Sequence, residues 1–340
     1  MFKKLIYLIV LATGLLLACY FLQPIKKGKG RYTTTNYELV KNWLDLPKGL
    51  KLGNPTGISI DTNQNIVVFH RADREWPLLG AMPENLIKSK TILILDKDNG
   101  KLITSWGDNL FIMPHGLTVD NENNIWVTDV GLHQVLKFSY NGKLLLKLGE
   151  AKVAGNDSFH FNKPTDIAIA DDGSFYVSDG YGNSRVVKFS ATGEYLLEWG
   201  KKGGKESEFN IPHGISLDGN GNVYVADREN NRVHVFDPNG KFKKQFADNT
   251  FGAICSVAFD KLQSKLFTVD DLTFLKVKHR GSDILIFDTI GKVQTRFGRS
   301  GSYDGNNSWY HDLTIDKEEN IYVCDILGNT VQKFRKVPNH

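Results

Sequence analysis

Short runs of alternating apolar and polar residues, separated by turns rich in glycine and asparagine, recur along most of this chain. The clearest unit runs from Gly214 to Phe246 and reads GISLD, GNGN, VYVAD, RENN, RVHVFD, PNG, KFKKQF. Alternation with a period of two predicts strands with one buried face, and the intervening residues tolerate the left-handed backbone of tight turns. Each such unit therefore predicts four short antiparallel strands.

The start of this unit occurs six times. The copies are PTGISID (55–61), PHGLTVD (114–120), PTDIAIA (164–170), PHGISLD (212–218), ICSVAFD (254–260) and YHDLTID (310–316). Repeats of roughly 40–50 residues with several short strands are typical of β-propeller blades. We predict an all-β, six-bladed propeller over about 55–340, in which the fifth blade is the least regular because a longer insert separates its strands.

The first 30 residues have a different composition. Two lysines precede the apolar run Leu5–Leu22, and a basic spacer follows it. This order is typical of an export signal, and the LLAC box ending at Cys19 resembles a bacterial lipoprotein cleavage site. An uncleaved anchor is the alternative, because 18 apolar residues can just span a bilayer. We expect 1–30 to attach the propeller, 31–340, to a membrane outside the cytoplasm, in the periplasm or at the cell surface.

Charge and cysteine content limit the classes of protein to which this chain can belong. The formal charge of +4 arises in the first 31 residues, which hold six lysines and arginines and no acid, so the remainder carries −2. That balance gives no electrostatic footprint for nucleic acid. Within the repeats only Cys255 and Cys324 occur, on different blades, which predicts no disulfide framework. We expect a monomer that contacts the membrane through its N-terminus only.

Three histidines hold the same place in alternate copies of the repeat. The residues at this aligned position are Thr56, His115, Thr165, His213, Cys255 and His311, and the histidines are 98 residues apart. Alternate blades of a six-membered ring are about 120° apart, so three imidazoles at one depth should meet on the axis. Three histidines with an open fourth position are the ligand set of a catalytic zinc. The spacing therefore predicts a metal site.

Two arginines also share a place in the repeat. Arg71 and Arg228 lie 15 residues after the aligned position of the first and fourth copies. Neighbouring strands are antiparallel, so both should reach the same end of the channel as the histidines, on opposite sides, as clamps for a carboxylate. The alternative is an ordinary rim salt bridge with Asp73 or Asp227. Tyr181 of the third copy is another candidate for this opening.

These residues carry a resemblance to a known family. FHRADREW (69–76), MPHGLTVDNENNIWVTDVGLHQV (113–135), PTDIAIADDGSFYVSDGYGNSRVVKFS (164–190), PHGISLDGNGNVYVADRENNRV (212–233) and YHDLTIDKEENIYVCDILGNTVQKF (310–334) resemble the peptidyl-α-hydroxyglycine α-amidating lyases, which are NHL-repeat propellers. Members cleave the carbinolamide of a peptidyl-α-hydroxyglycine into a peptide amide and glyoxylate. The resemblance covers essentially the whole propeller and is more specific than NHL repeats alone.

The resemblance implies a role for each candidate residue. It makes His115, His213 and His311 zinc ligands, Tyr181 and Arg71 the catalytic pair, and Arg228 a further active-site arginine. It also implies a structural calcium held by the carbonyls of Ile58 and Leu117 and the carboxylate of Asp312. From the residues themselves we expect the positive charge of Arg71 to favour the Tyr181 phenolate, which makes the tyrosine a base.

Two departures and two alternative functions remain. Gly182 stands where animal members have a half-cystine, and Trp309-Tyr310 replace a Met-Pro pair before the last histidine, which changes the pocket wall. One alternative is a non-catalytic NHL-repeat propeller that binds a protein or glycan. The other is a calcium-dependent propeller hydrolase of the lactonase kind, although such sites are built from carboxylates and asparagine rather than imidazoles. Fold alone does not separate these classes; the site residues do.

Overall fold

The structure, a computed structural model, describes residues 35–77, 81–274, 278–301, 303 and 305–338. Within these residues the chain forms six four-stranded antiparallel sheets, as predicted for a six-bladed β-propeller. The strands are β1 (Tyr37–Leu39), β2 (Pro55–Ile60), β3 (Ile66–His70), β4 (Ile92–Leu95), β5 (Leu102–Trp106), β6 (Pro114–Val119), β7 (Ile125–Asp129), β8 (Gln134–Phe138), β9 (Leu144–Leu148), β10 (Asp166–Ile169), β11 (Phe175–Asp179), β12 (Arg185–Phe189), β13 (Tyr195–Trp199), β14 (Pro212–Leu217), β15 (Val223–Asp227), β16 (Arg232–Phe236), β17 (Phe242–Ala247), β18 (Ala253–Asp260), β19 (Lys265–Phe274), β20 (Lys278–Phe287), β21 (Val293–Gly298), β22 (Tyr310–Ile315), β23 (Ile321–Asp325) and β24 (Thr330–Lys336).

Each blade runs outward from the axis. The innermost strands β2, β6, β10, β14, β18 and β22 contact one another around the channel. The second strands, such as IVVFH in β3 and VYVAD in β15, are buried along their whole length between blades. The outer strands, such as LLLKL in β9, are mostly exposed. Burial thus falls with distance from the axis, and the channel is lined by the first residues of each repeat.

The ring closes through the N-terminal side of the chain. Strand β1 pairs antiparallel with β24, so that Tyr37 lies opposite Lys336 and Leu39 opposite Phe334. The sixth blade is therefore completed by residues that precede the first repeat. Closure of this kind joins the two ends of the propeller and removes an exposed sheet edge. Counting repeats from residue 55 did not predict it.

The inner strands approach one another so closely that several positions accept only glycine. A Cβ added at Gly116 would lie 2.5 Å from the Thr165 carbonyl oxygen, and one at Gly214 would lie 2.7 Å from the Cα of Ser256. These distances are far below van der Waals contact, so a larger residue would push neighbouring blades apart. The HG pairs of the repeat therefore combine a functional side chain with the glycine that lets the blades pack.

The fifth blade differs in length, as its irregular sequence predicted. Its middle strands β19 and β20 have ten residues each, twice the length of their counterparts in the fourth blade. Among the described residues no helix is both long and apolar enough to cross a membrane. The predicted signal or anchor, residues 1–30, lies outside the described residues.

Candidate active site

The three aligned histidines meet on the channel axis. His115, His213 and His311 lie near the starts of β6, β14 and β22, are all buried, and place one ligating nitrogen each within 4.8 Å of the others. Their ring centroids are 4.7 to 4.9 Å apart. The structure thus brings together the residues that the spacing selected, in an arrangement that could hold a metal ion.

A β-bulge in the inner strand directs these side chains. In the sixth blade Tyr310 pairs with Asp325 and Asp312 with Cys324, so His311 is an extra residue without a partner in its own sheet. The same shift in register surrounds His115 and His213. A bulge re-aims side chains and frees main-chain groups from the ladder. Consecutive residues such as His311 and Asp312 can therefore both face the axis.

Each imidazole is oriented by the neighbouring blade. In each of the three histidines, Nδ1 lies against a main-chain carbonyl oxygen. That oxygen belongs to the residue at the aligned position of a neighbouring blade. The pairs are His115 with Thr165 at 2.6 Å, His213 with Cys255 at 2.6 Å and His311 with Thr56 at 2.8 Å. A carbonyl can only accept, so Nδ1 carries the proton and the lone pair of Nε2 is free. Main-chain carbonyls commonly orient metal-bound histidines in this way.

The three histidines are neutral. Burial lowers the pKa of His311 to about 3, with the charge of Arg71 acting in the same direction. Burial, and then the neighbouring histidines, place the pKa of His115 well below its ordinary value, and His213 behaves likewise. The Nε2 atom of His311 is buried without a hydrogen-bond partner. An orphaned acceptor on the axis and three neutral nitrogen donors fit a borderline metal ion such as zinc.

Tyr181 lies directly beside two of these ligands. Its hydroxyl oxygen is 3.1 Å from Nε2 of His115 and 3.0 Å from Nε2 of His213. Burial raises the pKa of Tyr181, while the charges of Arg228 and Arg71 act to lower it. The sequence argument that arginine charge favours the phenolate has the right direction, but burial outweighs it. The phenol is accordingly the resting form in this environment and donates to one of the two imidazoles.

Arg71 is a buried cation without an acidic partner. Its side chain is 3% exposed, Nε donates to the carbonyl of Pro114 at 3.1 Å, and the guanidinium lies over the ring of Trp76 at 5.2 Å. Among the described residues no carboxylate lies within 4.0 Å of it, so the alternative ion pair with Asp73 does not form. Burial lowers its pKa to about 10, which leaves it charged at neutral pH.

Arg228 is the second arginine whose charge acts on Tyr181. It begins a short 3-10 helix, Arg228–Asn230, and the neighbouring Asp227 pairs with Arg232 instead, at 2.8 Å. The Nε atom of Arg228 is buried without a hydrogen-bond partner, and Glu229 is 3.9 Å away. Burial acts to lower its pKa, but Tyr181 and other neighbours raise it overall. The region around Arg71, Tyr181 and Arg228 is called the mouth below, and both arginines place positive charge near the tyrosine there.

One residue after the aligned position, two of the six inner strands carry a carboxylate, and one of these is Asp312. Asp312 accepts the Ile58 N–H at 2.9 Å and the Ser256 hydroxyl at 2.6 Å. Burial raises its pKa to about 6. The carbonyl-bearing residues predicted for calcium, Ile58 and Leu117, line a cavity of about 320 Å³ together with Asp312. The cavity opens on the side of the histidines opposite to the mouth, and its oxygen-rich lining fits a hard cation.

Sequence reasoning missed a second carboxylate in this cavity. Asp166, in the third blade, lines the same cavity, and burial and then the charge of Asp312 raise its pKa well above the ordinary value. It stands one residue after the aligned position of its copy, as Asp312 does in the sixth. Comparing the copies at that position would have found it.

Sequence reasoning also missed an acid in the mouth. Ile254 pairs with Asp270, so Asp271 occupies in the fifth blade the place of Arg228 in the fourth. An inserted residue hid this equivalence, because counting 15 positions ends on Asp270. Asp271 is buried and lies 2.6 Å from Nδ1 of His279, whose ring stacks on Trp309 at 5.3 Å. The pocket wall at Trp309, which we expected to differ from that of the animal members, therefore packs on the pair formed by Asp271 and His279.

The chain is similar to several known proteins. The NHL repeat family matches residues 111–138, 161–189 and 209–236. The human NHL repeat-containing protein 3 is 34% identical over 306 residues, covering 78% of this chain and 84% of that protein. Peptidyl-α-hydroxyglycine α-amidating lyase 1 of Drosophila melanogaster is 39% identical over 240 residues, covering 64% of this chain and 43% of the relative. The chain belongs to the peptidyl-α-hydroxyglycine α-amidating lyase family.

The family also includes larger proteins. Peptidyl-glycine α-amidating monooxygenase B of Xenopus laevis is 33% identical over 302 residues, covering 84% of this chain. The chain spans about a third of the length of that relative, 34%. The amidating lyases are an enzyme family, so the predicted family is confirmed, and with it the prediction that the chain belongs to a family of enzymes. The identity of the metal and of the reaction depends on the residues of the site.

Proposed function

We propose that this protein is a zinc-dependent lyase that cleaves the C–N bond of a peptidyl- or N-acyl-α-hydroxyglycine to give an amide and glyoxylate. The observation that carries this proposal is the mouth: the hydroxyl of Tyr181 lies beside two of the candidate metal-ligand histidines, and the charges of Arg71 and Arg228 act on it. A substrate for such a site combines an anionic group with a hydroxyl whose proton must move. A carbinolamide that ends in a carboxylate has both.

The substrate carboxylate would bind the arginines. Arg71 is buried and has no acidic neighbour within 4.0 Å among the described residues, so its charge is available to a ligand. A planar guanidinium binds a carboxylate through two parallel hydrogen bonds, which fixes both position and orientation. Arg228 supplies a second positive charge that acts on Tyr181. Holding the substrate in line with the reacting groups supplies a large part of the rate acceleration.

The reaction itself is a proton transfer coupled to bond cleavage. The hydroxyl of the NH–CH(OH)–COO⁻ group loses its proton, the C–O bond becomes the carbonyl of glyoxylate, and the C–N electron pair leaves with nitrogen, which gains a proton. Tyr181 as phenolate would take the hydroxyl proton and return one to nitrogen. Because the resting tyrosine is a phenol, it would have to lose its proton before it acts as the base, and Arg228 and Arg71 favour that loss by opposing the effect of burial on its pKa. No electrons are exchanged, so no redox cofactor is needed.

Two ions complete the proposed site. His115, His213 and His311 would hold zinc, and imidazole nitrogens also suit iron or cobalt. A zinc ion supplies Lewis-acid chemistry beside Tyr181. The carbonyls of Ile58 and Leu117 and the carboxylate of Asp312 would hold a structural calcium, because hard cations prefer oxygen ligands.

The proposed setting rests on the composition of residues 1–30 and on the charge of the remaining chain. We propose an extracytoplasmic, membrane-attached monomer that acts on peptide or N-acyl substrates and does not bind nucleic acid. Residues 1–30 would be the attachment, with the membrane contacted there only. The mass of the mature N-terminus distinguishes a lipidated Cys19 from an uncleaved anchor.

The test is the release of glyoxylate. Full-length protein loaded with zinc should convert N-benzoyl-α-hydroxyglycine to benzamide and glyoxylate faster than the spontaneous reaction, without a redox cofactor. Removal of the metal with a chelator should abolish the rate, and zinc should restore it. A matched control is His133→Ala, since His133 is off the axis and its Nδ1 contacts only the Lys163 amide. A zinc-loaded protein with no rate above background would contradict the proposal and favour a binding propeller.

A further inference from the structure

We propose that Trp76 is a positioning residue, which stabilises the Arg71 guanidinium, directs it at the substrate carboxylate and covers Tyr181. The inference rests on the proposed function of the mouth. Trp76 lies after β3, five residues beyond Arg71, and is partly buried against the same hydrophobic cluster as Tyr181. Neither the metal site nor the proton transfer uses it directly.

Trp76 contacts both groups at once. The guanidinium carbon of Arg71 lies 5.2 Å from the centroid of the Trp76 ring. The Tyr181 ring lies 5.0 Å from the same indole, at an interplanar angle of 42°. These distances are those of a cation–π contact and of a tilted aromatic pair. The indole is therefore the one described side chain with ring contacts to both Arg71 and Tyr181 in the mouth.

The local chain path holds the indole there. The Arg74 N–H donates to the Arg71 carbonyl at 2.8 Å, and Ala72 has φ +50°, so the chain reverses immediately after β3. The Arg74 guanidinium donates to the carbonyls of Asn85 and Ile112, both at 3.1 Å, which anchors the turn to the second blade. A left-handed non-glycine residue in a turn is costly and persists when surrounding contacts determine it. The turn places Trp76 over Arg71.

An aromatic partner solves an electrostatic problem that an acidic partner would not. A buried guanidinium needs compensation, because removal of a charge from water is unfavourable. A carboxylate beside Arg71 would compensate it but would occupy the N–H groups that the substrate needs. The negative face of an indole stabilises the cation and leaves those donors free. The arrangement at Arg71, one Nε bond to Pro114 and an indole below, matches this requirement.

Trp76 also completes the enclosure of Tyr181. His115 and His213 contact the tyrosine ring edge to face at 5.1 and 5.5 Å, and Trp76 covers a further side. Loss of the indole would admit water next to both the tyrosine and the arginine. Water weakens the attraction between Arg71 and a bound carboxylate, since that attraction depends on a low local dielectric.

Carboxylate binding tests the inference without requiring catalysis. The full-length, zinc-loaded protein is titrated calorimetrically with N-benzoylglycine, which has the carboxylate but no reactive hydroxyl, and with its methyl ester. Trp76→Leu should weaken binding of the acid by about 2-fold to 30-fold, the range expected of a cation–π contact, and leave the ester unchanged. Trp76→Phe, which keeps an aromatic face, should restore most of the loss. Trp106→Leu is the matched control, because Trp106 packs on the same cluster but bonds only to the Tyr140 carbonyl.

The outcomes separate the two proposals. Equal weakening of acid and ester in Trp76→Leu, or no weakening of either, overturns the positioning role. Failure of Phe to restore binding does the same. A wild-type protein that binds the acid but releases no glyoxylate contradicts the lyase proposal and leaves the role of Trp76 standing. A wild-type protein that releases glyoxylate and binds acid and ester equally contradicts the role of Trp76 alone.

Discussion

Two neighbouring rings on the propeller axis differ in the ions that they suit. At the aligned position, imidazoles alternate with threonine and cysteine around the ring. One residue later, the ring holds three glycines, a serine and two carboxylates, Asp166 and Asp312, which belong to the third and sixth blades. The first ring offers nitrogen donors with threefold spacing, and the second offers oxygen donors on opposite blades. Nitrogen donors select transition metals and oxygen donors select hard cations.

The same inner strands thus present nitrogen donors in one ring and oxygen donors in the next. The bulge at the aligned position lets consecutive residues of one strand face the axis, and small residues elsewhere in the ring leave room for them. Five of the six blades share this shift in register between the first two strands, so the identity of an ion depends on which copies carry a ligand. A substitution in one ring should therefore leave the ion of the other in place.

The largest effect is expected from removing one donor in each ring. His213→Ala should lower transition-metal affinity more than about 100-fold and abolish glyoxylate release, because two imidazoles no longer enclose the ion. Asp312→Asn should lose calcium and retain the transition metal. Elemental analysis of both variants measures this directly. Loss of both ions in Asp312→Asn would show that the rings are not independent.

A smaller effect is expected in the mouth above the first ring. Tyr181→Phe should lower kcat by about 10²- to 10⁴-fold, the usual contribution of a positioned acid or base, while both ions stay bound. The measurement is steady-state glyoxylate release together with metal content. Tyr140→Phe is the control, because the Tyr140 hydroxyl bonds to Asp61 away from the mouth. A Tyr181→Phe enzyme with unchanged kcat would remove the tyrosine from the mechanism.

The smallest effect concerns the acid that replaces an arginine in the fifth blade. Both nitrogens of His279 face acceptors, Asp271 at 2.6 Å and the Ser308 carbonyl at 2.9 Å, and although burial opposes it, the bond to Asp271 raises the His279 pKa. Because folding raises the pKa of His279, its protonation stabilises the folded protein below the unfolded pKa near 6.5. This stabilisation is lost as the pH rises through the folded pKa.

Denaturant unfolding of wild type and His279→Gln should therefore differ by about 1 kcal/mol at pH 5.5, and the difference should shrink at pH 8.5. His133→Gln is the control, because burial lowers rather than raises the pKa of His133. A difference that grows with pH would mean that His279 is neutral in the folded protein.

Repetition explains why so much of the fold and site could be predicted. Strand alternation and turn residues are local signals, so the blades could be counted from the sequence. Equal spacing along the chain then predicted that His115, His213 and His311 lie at one depth. Arg71 and Arg228 could be paired for the same reason. Asp271 was missed because a single inserted residue breaks the count, and strand pairing in space restores the equivalence.

By itself, then, the sequence determined the six-bladed ring, the alternating histidines and the arginines that share their end of the channel, because each follows from a periodic pattern. Only the tertiary structure decided how the ring closes, since β1 and β24 are almost 300 residues apart in the chain. It also decided the tautomer of each histidine, through carbonyls of the next blade, and the protonation of Tyr181, through burial. Contacts between blades and exclusion of water are properties of the assembled ring, and no local pattern encodes their magnitude.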